Sequence, residues 1–402
     1  MARKTPRSVE GRVRDMAGAD GVLESDHGVI FVPRVVPGDV VRVESIRRRG
    51  KTLRGRLARL LEASPDRRQP PCDIVDRCGG CPWMPIADAR QAALKRARVA
   101  RLGQDAQWHE AATLEYRHRA RFAWHGRTLG YRERSGHRIV DVERCVVLDA
   151  PRHAAWTRLR TLVELLSGEG EILLGPAGDG AVALLRTDAA QSGELYARCP
   201  ALLDDALRGI VLEVAGARAS WGETQESYVV DGGLLASPIG GFAQGHGVLN
   251  EALVQHVASQ VPEEARVLEL YCGAGNLSVR LARSASAWLG VELDADAVEA
   301  CRHNLRSRGL RGKVIEASAE AFPPGRWDVV VLDPPRAGAR EAVARIGATK
   351  AERVVYVSCH LATLERDLRA LDDAGYRLES CAAFDMFPQT PHLELVATLV
   401  RA

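Results

Sequence analysis

Long apolar runs are missing from this 402-residue chain. No stretch approaches the roughly 18 apolar residues that a membrane-crossing helix needs, which argues against membrane association. The start, MARKTPRSVEGRVRD, is basic but has no apolar segment behind it, so no secretory signal is read there and a cytoplasmic location is expected. Internal repeats and low-complexity tracts are missing as well. Glycine, at 37 of 402 residues, is ordinary, which excludes collagen-like or disordered classes. What remains is a chain long enough for two or three domains, each with its own core.

A large net charge is also missing, since the formal balance is only +3. Its distribution is uneven. Residues 1–71 hold 16 Lys and Arg against 9 Asp and Glu, whereas residues 72–402 hold 39 against 43. A basic head on a nearly neutral body points to a polyanion partner, nucleic acid above all. A basic tail that only aids solubility is the alternative.

From Val9 to about Leu61 the chain reads as short strands. VIFVPRVVPGDVVRVESI alternates apolar and polar residues around a turn at Pro37-Gly38-Asp39, and RRRGKTLRGRLARLL adds an arginine-rich strand pair. This pattern predicts a small β-barrel of the oligonucleotide-binding kind. Residues 62–85 read as a linker ending in a cysteine loop, and 86–102 as helix. Residues 116–240 are strand-like, with one helix near 153–167, which predicts an α+β region. From about 250 strands alternate with helices: NEALVQHVASQV, ARVLELYCGAG, SASAWLGVELD, RWDVVVLDPP, AERVVYVSC. That alternation predicts a doubly wound parallel sheet, a Rossmann-like α/β domain.

Nine cysteines in such a chain do not suggest a disulfide framework. Cys72, Cys78 and Cys81 form C-x5-C-x2-C, with Cys145 at a distance. Four thiolates suit tetrahedral zinc or a cubane iron–sulfur cluster, and spacing does not separate the two.

In VLELYCGAGNLS a strand runs into Gly273-Ala274-Gly275, a turn that lets a ligand lie against backbone N–H groups. Glu292 ends the next strand, 19 residues after Gly273, where a carboxylate can accept hydrogen bonds from both ribose hydroxyls of an adenosine. The loop lacks the third glycine of a dinucleotide site, which favours S-adenosylmethionine over NAD. Asp333-Pro334-Pro335-Arg336 ends another strand on the same edge, where the prolines stiffen the loop. Arg336 stands where adenine N-methyltransferases carry a stacking aromatic, which disfavours that chemistry.

Cys359 closes RVVYVSC on the same edge; a cysteine at a strand end is ordinarily only a small buried residue. Glu394 lies in an otherwise apolar strand, where an unpaired carboxylate is costly. A dry carboxyl has a raised pKa and suits a general base. A thiol and a base beside a methyl donor fit methylation at carbon 5 of uracil. Thiolate addition at C6 activates C5 towards the methyl group, and a base then removes the C5 proton so that the thiol can leave.

The motifs together resemble the TRAM-domain, iron–sulfur RNA (uracil-5-)-methyltransferases of the 23S rRNA type. The resemblance rests on GADGVL…GVIFVPRVVPGDVV, CDIVDRCGGC with ERC at 143–145, ELYCGAGN, DPPRAG, YVSC…ATLERD and DMFPQTPHLE. It implies a TRAM-like RNA-binding barrel over 1–62, a cluster loop and central α+β RNA-binding domain over 63–240, and a methyltransferase domain over 241–402. By position it implies Cys359 as nucleophile and Glu394 as proton acceptor. Gln244, in GGFAQGH, would sit beside cofactor and uracil, while Tyr271, Asn276, Glu292 and Asp333 would line the S-adenosylmethionine site. It implies a [4Fe–4S] cluster on Cys72, Cys78, Cys81 and Cys145 and 23S rRNA as substrate, with tRNA as substrate or a catalytically inactive RNA-binding protein as the alternatives; a monomer is expected. Arg117, Arg119 and Arg121 would grip phosphates around a flipped base. His246 replaces the family's usual asparagine, His360-Leu361 its Asn-Pro, and Ser318 stands in a turn where an acidic residue is common.

Overall fold

A computed structural model describes residues 6–50, 52–134 and 136–402. The first five residues of the basic start lie outside it. By internal contacts the chain divides into two units. One comprises the N-terminal part up to Arg98 with Tyr131–Val142 and Phe387–Pro391; the other comprises Val99–Gly130, Glu143–Met386 and His392–Ala402.

The first unit begins with β1 (Ser8–Ala17), β2 (Asp20–Ser25), β3 (Gly28–Pro33), β4 (Val40–Arg49) and β5 (Thr52–Glu62). They close into a barrel in the order β1-β2-β3-β5-β4, so the expected small barrel is present. Period-2 alternation turns Val13, Leu23, Ile30, Val32, Val41, Val43 and Leu53 inward as its core. Gly55 faces that interior, where an added Cβ would come within 2.2 Å of Val43 Cγ1. Asp39 of the expected turn is wholly buried and accepts from Val36 N (2.7 Å), Ser64 N (2.9 Å) and the Arg67 guanidinium, tying the following segment to the barrel. Helix α1 (Asp88–Val99) follows, ending in a 3-10 turn at Ala100–Leu102. Trp83, Ile86 and Leu94 pack with Met16 and Val36.

The second unit holds two sheets. Strands β6 (Gln107–His109), β7 (Ala120–His125) and β8 (Thr128–Arg132) are followed by β9 (Ile139–Asp141), which falls in the first unit. Next come α2 (Ala150–Arg160), β10 (Glu169–Ala177), β11 (Gly180–Thr187), α3 (Gly193–Ala201), β12 (Leu207–Val214), β13 (Ala217–Gly222), β14 (Gln225–Val230) and β15 (Gly233–Pro238). Strands pair in the order β13-β12-β11-β10-β7-β8, with the β14–β15 hairpin beside β10. The expected helix at 153–167 is shorter and starts earlier, because Asp149 caps it by accepting from Arg152 N. Helix α3, capped by Ser192, is a second helix in this region; nine residues with a proline inside leave little periodicity to read.

The second sheet is built from α4 (Gly247–Ser259), β16 (Arg266–Leu270), α5 (Ser278–Ser284), β17 (Ala287–Glu292), α6 (Ala295–Ser307), β18 (Lys313–Glu316), β19 (Val329–Leu332), α7 (Arg340–Thr349), β20 (Arg353–Ser358), α8 (Leu361–Asp373), β21 (Tyr376–Phe384) and β22 (Glu394–Arg401). Its order is β18-β17-β16-β19-β20-β22-β21-β6, with the first five strands parallel and β22 antiparallel to both neighbours. Strands buried on both faces explain the unbroken runs VVVL and VVYV. This is the expected Rossmann-like domain, with β6 added at its edge.

Candidate active site

Register alone brings the candidate residues to one edge of this sheet. Leu270 pairs with Leu332, so Tyr271 and Asp333 leave their strands side by side. Leu332 in turn pairs with Tyr356, three residues before Cys359. Ser358 pairs with Leu395 across the antiparallel β20–β22 ladder, so the next step on each chain sets Cys359 opposite Glu394. Residues opposite one another in such a pair have Cβ atoms about 5 Å apart. Glu292 ends β17 on the other side of β16. The edge therefore carries Glu292, Tyr271, Asp333, Cys359 and Glu394 from five adjacent strands, where open α/β sheets bind ligands.

The turn after β16 enters left-handed backbone at three positions, a strained one at Tyr271 and two that glycine adopts freely. Tyr271, Gly273 and Gly275 have φ of 61°, 54° and 99°. An added Cβ at Gly275 would lie 3.1 Å from Cys301 Sγ, whereas open space faces Gly273. Glu292 grips this loop: Gly273 N–H donates to its Oε2 (2.9 Å), while Leu293 and Asp294 N–H donate to Oε1 (2.7 and 2.9 Å). Oε2, which accepts only one of these bonds, retains acceptor capacity for a ligand hydroxyl. Asn276 forms a reciprocal amide pair with Asn250, both bonds 2.8 Å, and so fixes the loop against α4.

The thiol and carboxyls at the other end of the edge share one electrostatic environment. Burial pushes the Cys359 thiol up to about 11, and the carboxylates of Glu394 and Asp333 raise it further, while Arg336 opposes them. Burial also lifts Asp333 to about 7. Glu394 is 2% exposed, and burial with the nearby Asp333 charge pushes it well above the carboxylate range. Arg336 is the cation that offsets these carboxylates.

Gln244 is buried with neither amide atom hydrogen-bonded; only its carbonyl is used, against His118 Nε2 at 2.6 Å. His360 takes over capping of α8, its Nδ1 accepting from Thr363 N. Ser318 precedes a 3-10 turn without capping it. Arg119 corrects an expectation: it is spent on buried Glu226 (2.7 Å) and on the carbonyls of Gly241 and Ala243, which leaves it holding the Gln244 loop instead of offering a phosphate contact. Arg121 is largely exposed and lies 3.7 Å from Glu171.

Cys72, Cys78 and Cys81 lie in the first unit and Cys145 in the second, all half-buried. Cys78 Sγ accepts the Gly80 N–H at 3.5 Å, a contact suited to a thiolate. Among the described residues no group of three or more His, Cys, Asp or Glu that could hold a metal ion is found. On the barrel, Arg12, Arg14, Arg42 and Arg54 pair with acids. Arg47, Arg48, Arg49, Arg56 and Arg59 are exposed on the β4–β5 hairpin.

Two supporting residues escaped the sequence reading. Asn304 donates from Nδ2 to the carbonyls of Ala274 (2.8 Å) and Ala236 (2.7 Å), pinning the glycine turn from α6. Asp367 accepts from Ala339 N (2.8 Å) and Tyr356 Oη (2.7 Å), anchoring the segment after DPPR. Polar residues on the core side of amphipathic helices were the available signal.

Residues 324–402 match the family tRNA (Uracil-5-)-methyltransferase, and residues 244–354 match the Methyltransferase small domain. The chain is 32% identical to the 23S rRNA (uracil(1939)-C(5))-methyltransferase RlmD of Shewanella amazonensis, covering 98% of this chain and 96% of that one. It is 33% identical to the protein of the same name from Pseudomonas putida, covering 94% and 90%. Among solved structures, the Pyrococcus abyssi tRNA (uracil-54, C5)-methyltransferase bound to S-adenosyl-L-homocysteine superposes with a TM-score of 0.82 at 26% identity, covering 98% and 100%.

Proposed function

Because this chain belongs to the RNA (uracil-5-)-methyltransferase family, we propose that it forms 5-methyluridine in 23S rRNA, with Cys359 as nucleophile and Glu394 as base. It is an S-adenosylmethionine-dependent methyltransferase. The observation that carries the assignment of roles is the β20–β22 register, which opposes Cys359 and Glu394 on the edge that also bears the left-handed glycine turn.

Cys359 gives its thiol proton to water, Sγ adds to uracil C6 as the thiolate, and the electron pair of the C5–C6 bond moves onto C5 and the C4 carbonyl, so that C5 becomes the nucleophile that takes the methyl group. S-Adenosylmethionine, when bound, supplies the methyl group. Glu394 then takes the C5 proton, the C5–C6 double bond re-forms and the C6–S bond breaks with its electrons returning to sulfur. The guanidinium of Arg336 offsets the cost of a thiolate between two carboxylates. Gln244, with donor and acceptor both unspent, matches the N3–H and carbonyl edge of uracil. Tyr271, Asn276, Glu292 and Asp333 form the cofactor side, with Glu292 and the open face of Gly273 suited to an adenosine ribose.

Labour divides along the chain: the barrel over 1–62, TRAM-like, holds RNA; residues 63–240 carry the cysteine loop and further RNA contacts; 241–402 carry out transfer. The reading includes a structural [4Fe–4S] cluster on Cys72, Cys78, Cys81 and Cys145, which rests on the family resemblance; the four thiols and the N–H contact to Cys78 Sγ suit zinc equally. No step of the transfer needs an electron. The reading includes a cytoplasmic location and a monomeric state.

The test is methyl transfer from labelled S-adenosylmethionine to total RNA from cells lacking the gene, followed by size separation and nucleoside analysis. Labelled 5-methyluridine in the large ribosomal RNA is expected. Label in tRNA would instead support the second reading, which the full-length likeness to the Pyrococcus abyssi tRNA enzyme favours. Absence of label would overturn both.

A further inference from the structure

Among the described residues of the second unit, five large apolar side chains stand exposed, and three of them line one cavity of about 790 Å³. They are Val229, Leu234 and Val248, at 62%, 60% and 71% exposure. Val229 and Leu234 are directly opposite one another in the β14–β15 hairpin, which sets their Cβ atoms about 5 Å apart. Val248 stands in the first turn of α4, which packs against β14. Exposed apolar side chains scattered singly need no explanation, but apolar surface gathered in one concavity marks an interaction site. None of Cys359, Glu394 or Asp333 lines this cavity.

The hairpin is fastened so that it cannot turn these side chains inward. Arg308 donates to the carbonyls of Val230 (2.9 Å), Gly233 (2.8 Å) and Leu234 (3.1 Å), the Asp231 N–H donates to Glu251 Oε2 (2.9 Å), and Asn304 holds both backbone groups of Ala236. A fixed frame of this kind loses little conformational freedom when a partner binds. The wall is also acidic. Glu115, Asp149, Asp179 and Glu251 line it, against Arg152 and Arg208. Arg152 is spent on Asp149, which accepts from both Nε (2.7 Å) and Nη2. Arg208 lies 3.9 Å from Glu223, an acid outside the wall. Burial lowers His118 to about 4 and moves His246 the same way, so neither ring adds a charge at neutral pH. Among the described residues neither Asp179 nor Glu251 is ion-paired, and Glu115 has only the exposed Arg144 at 3.6 Å. Such a wall repels phosphates and complements a cationic chain.

Resting on the function proposed above, we infer that this cavity docks a lysine- or arginine-bearing protein segment with aliphatic anchors, contributed by a protein bound to the same ribosomal RNA. A protein that binds the same polyanion is itself basic, so the chemistry of the wall and of the partner agree. The aliphatic residues of the segment cover Val229, Leu234 and Val248 and supply most of the affinity. Its cations meet Asp179 and Glu251, which sets its direction and excludes acidic competitors.

The experiment uses the full-length protein and three fluorescein-labelled peptides read by anisotropy. One is an amphipathic peptide of leucine and lysine; in the second every lysine is replaced by glutamate, and in the third every leucine by serine. The leucine–lysine peptide should bind, and the other two about tenfold more weakly or worse, the equivalent of about 1.4 kcal/mol. A double variant, Val229→Ser with Leu234→Ser, should weaken the first peptide by a similar factor, and so should Asp179→Lys. Glu299→Lys makes the same charge change on α6, outside this wall, and should leave binding unaltered. Basic proteins stripped by high salt from the large ribosomal subunit should displace the peptide, and failure to do so would overturn the assigned source. Equal binding of the lysine and glutamate peptides, unaltered binding in the serine variant, or equal weakening by Asp179→Lys and Glu299→Lys would overturn the docking site itself. Loss of RNA affinity in the serine variant would give the cavity to RNA and likewise overturn it. Uridine methylation is measured with the same preparations: methylation without selective peptide binding refutes this inference alone, whereas absence of methylation refutes the functional reading beneath it.

Discussion

Cys359 and Glu394 stand opposite one another one step beyond the Ser358–Leu395 pair, a thiol and a carboxyl held by two antiparallel strands. Neither depends on a mobile loop for its position. Cys359→Ala should therefore abolish methylation without a comparable loss of RNA binding. Glu394→Gln should complete the addition and methyl transfer but stall before C5 deprotonation. A protein–RNA adduct that survives denaturing electrophoresis is the expected product. Turnover by the alanine variant, or no adduct with the glutamine variant, would remove the assigned roles.

Asp333 controls the charge at this edge. Its carboxyl remains protonated in the fold up to about pH 7, while in an unfolded chain it ionises near 3.8. Between those values the native state binds more protons, so this group's contribution to stability falls as pH rises through that window. Asp333→Asn should raise the thermal midpoint at pH 8 and leave it unchanged near pH 4. Removing that carboxylate also lowers the Cys359 thiol from about 11, because one of the charges raising it is gone. Peptide-resolved alkylation of Cys359 should then begin at lower pH in Asp333→Asn and at higher pH in Arg336→Met. An unshifted profile in both would separate these residues from the thiol.

Much of this edge was legible in the sequence because parallel strands buried on both faces announce themselves as apolar runs, and chemistry follows where they stop. The ends of VVVL and RVVYVS pointed to Asp333 and Cys359, whereas Tyr271, after VLEL, came only with the family resemblance. What holds them did not show. Asn304 and Asp367 lie on helices far along the chain from the turns they bind, and pattern carries no information about partners at such separations. The edge strand Gln107–His109 is three residues long, too short for a period. Arg119 looked like a phosphate ligand by its position in YRHRARF; only the buried Glu226 on a different strand reveals its structural use. The segment Phe387–Pro391, read as part of a catalytic motif, belongs to the first unit, where Gln389 and Gln91 exchange hydrogen bonds.

Asn304 gives the sharpest test of how the cofactor turn is held. Its side chain is 1% exposed and satisfies the Ala274 carbonyl together with both backbone groups of Ala236. Asn304→Leu would leave those groups buried and unpaired at a cost of about 2 kcal/mol. The thermal midpoint should fall, and affinity for S-adenosylhomocysteine, measured by calorimetry, should fall with it. Asn304→Asp keeps an acceptor for Ala236 N while losing the donor to Ala274, so it should retain more stability than affinity. Equal affinity in both variants and the parent would place the turn's rigidity elsewhere.

The barrel's arginines divide into those already neutralised and those exposed on the β4–β5 hairpin, and this division predicts which ones RNA uses. Arg42 is held by Glu10 and Arg54 by Asp20, so their charges are partly spent within the fold. Arg47, Arg48 and Arg49 lie together at the hairpin end, exposed, with no ion pair to an acid among the described residues. A phosphate contact releases condensed counterions, so each one lost lowers the dependence of log K on log salt by about 0.7 for single-stranded RNA. Replacing Arg47, Arg48 and Arg49 together by alanine should weaken binding equally for all sequences and reduce that slope by about 2. Replacing Arg42 or Arg54 should leave the slope nearly unchanged and chiefly disturb their barrel ion pairs, worth under about 1 kcal/mol each at the surface. A triple variant with an unaltered slope would mean that the basic head serves solubility, the alternative its charge left open.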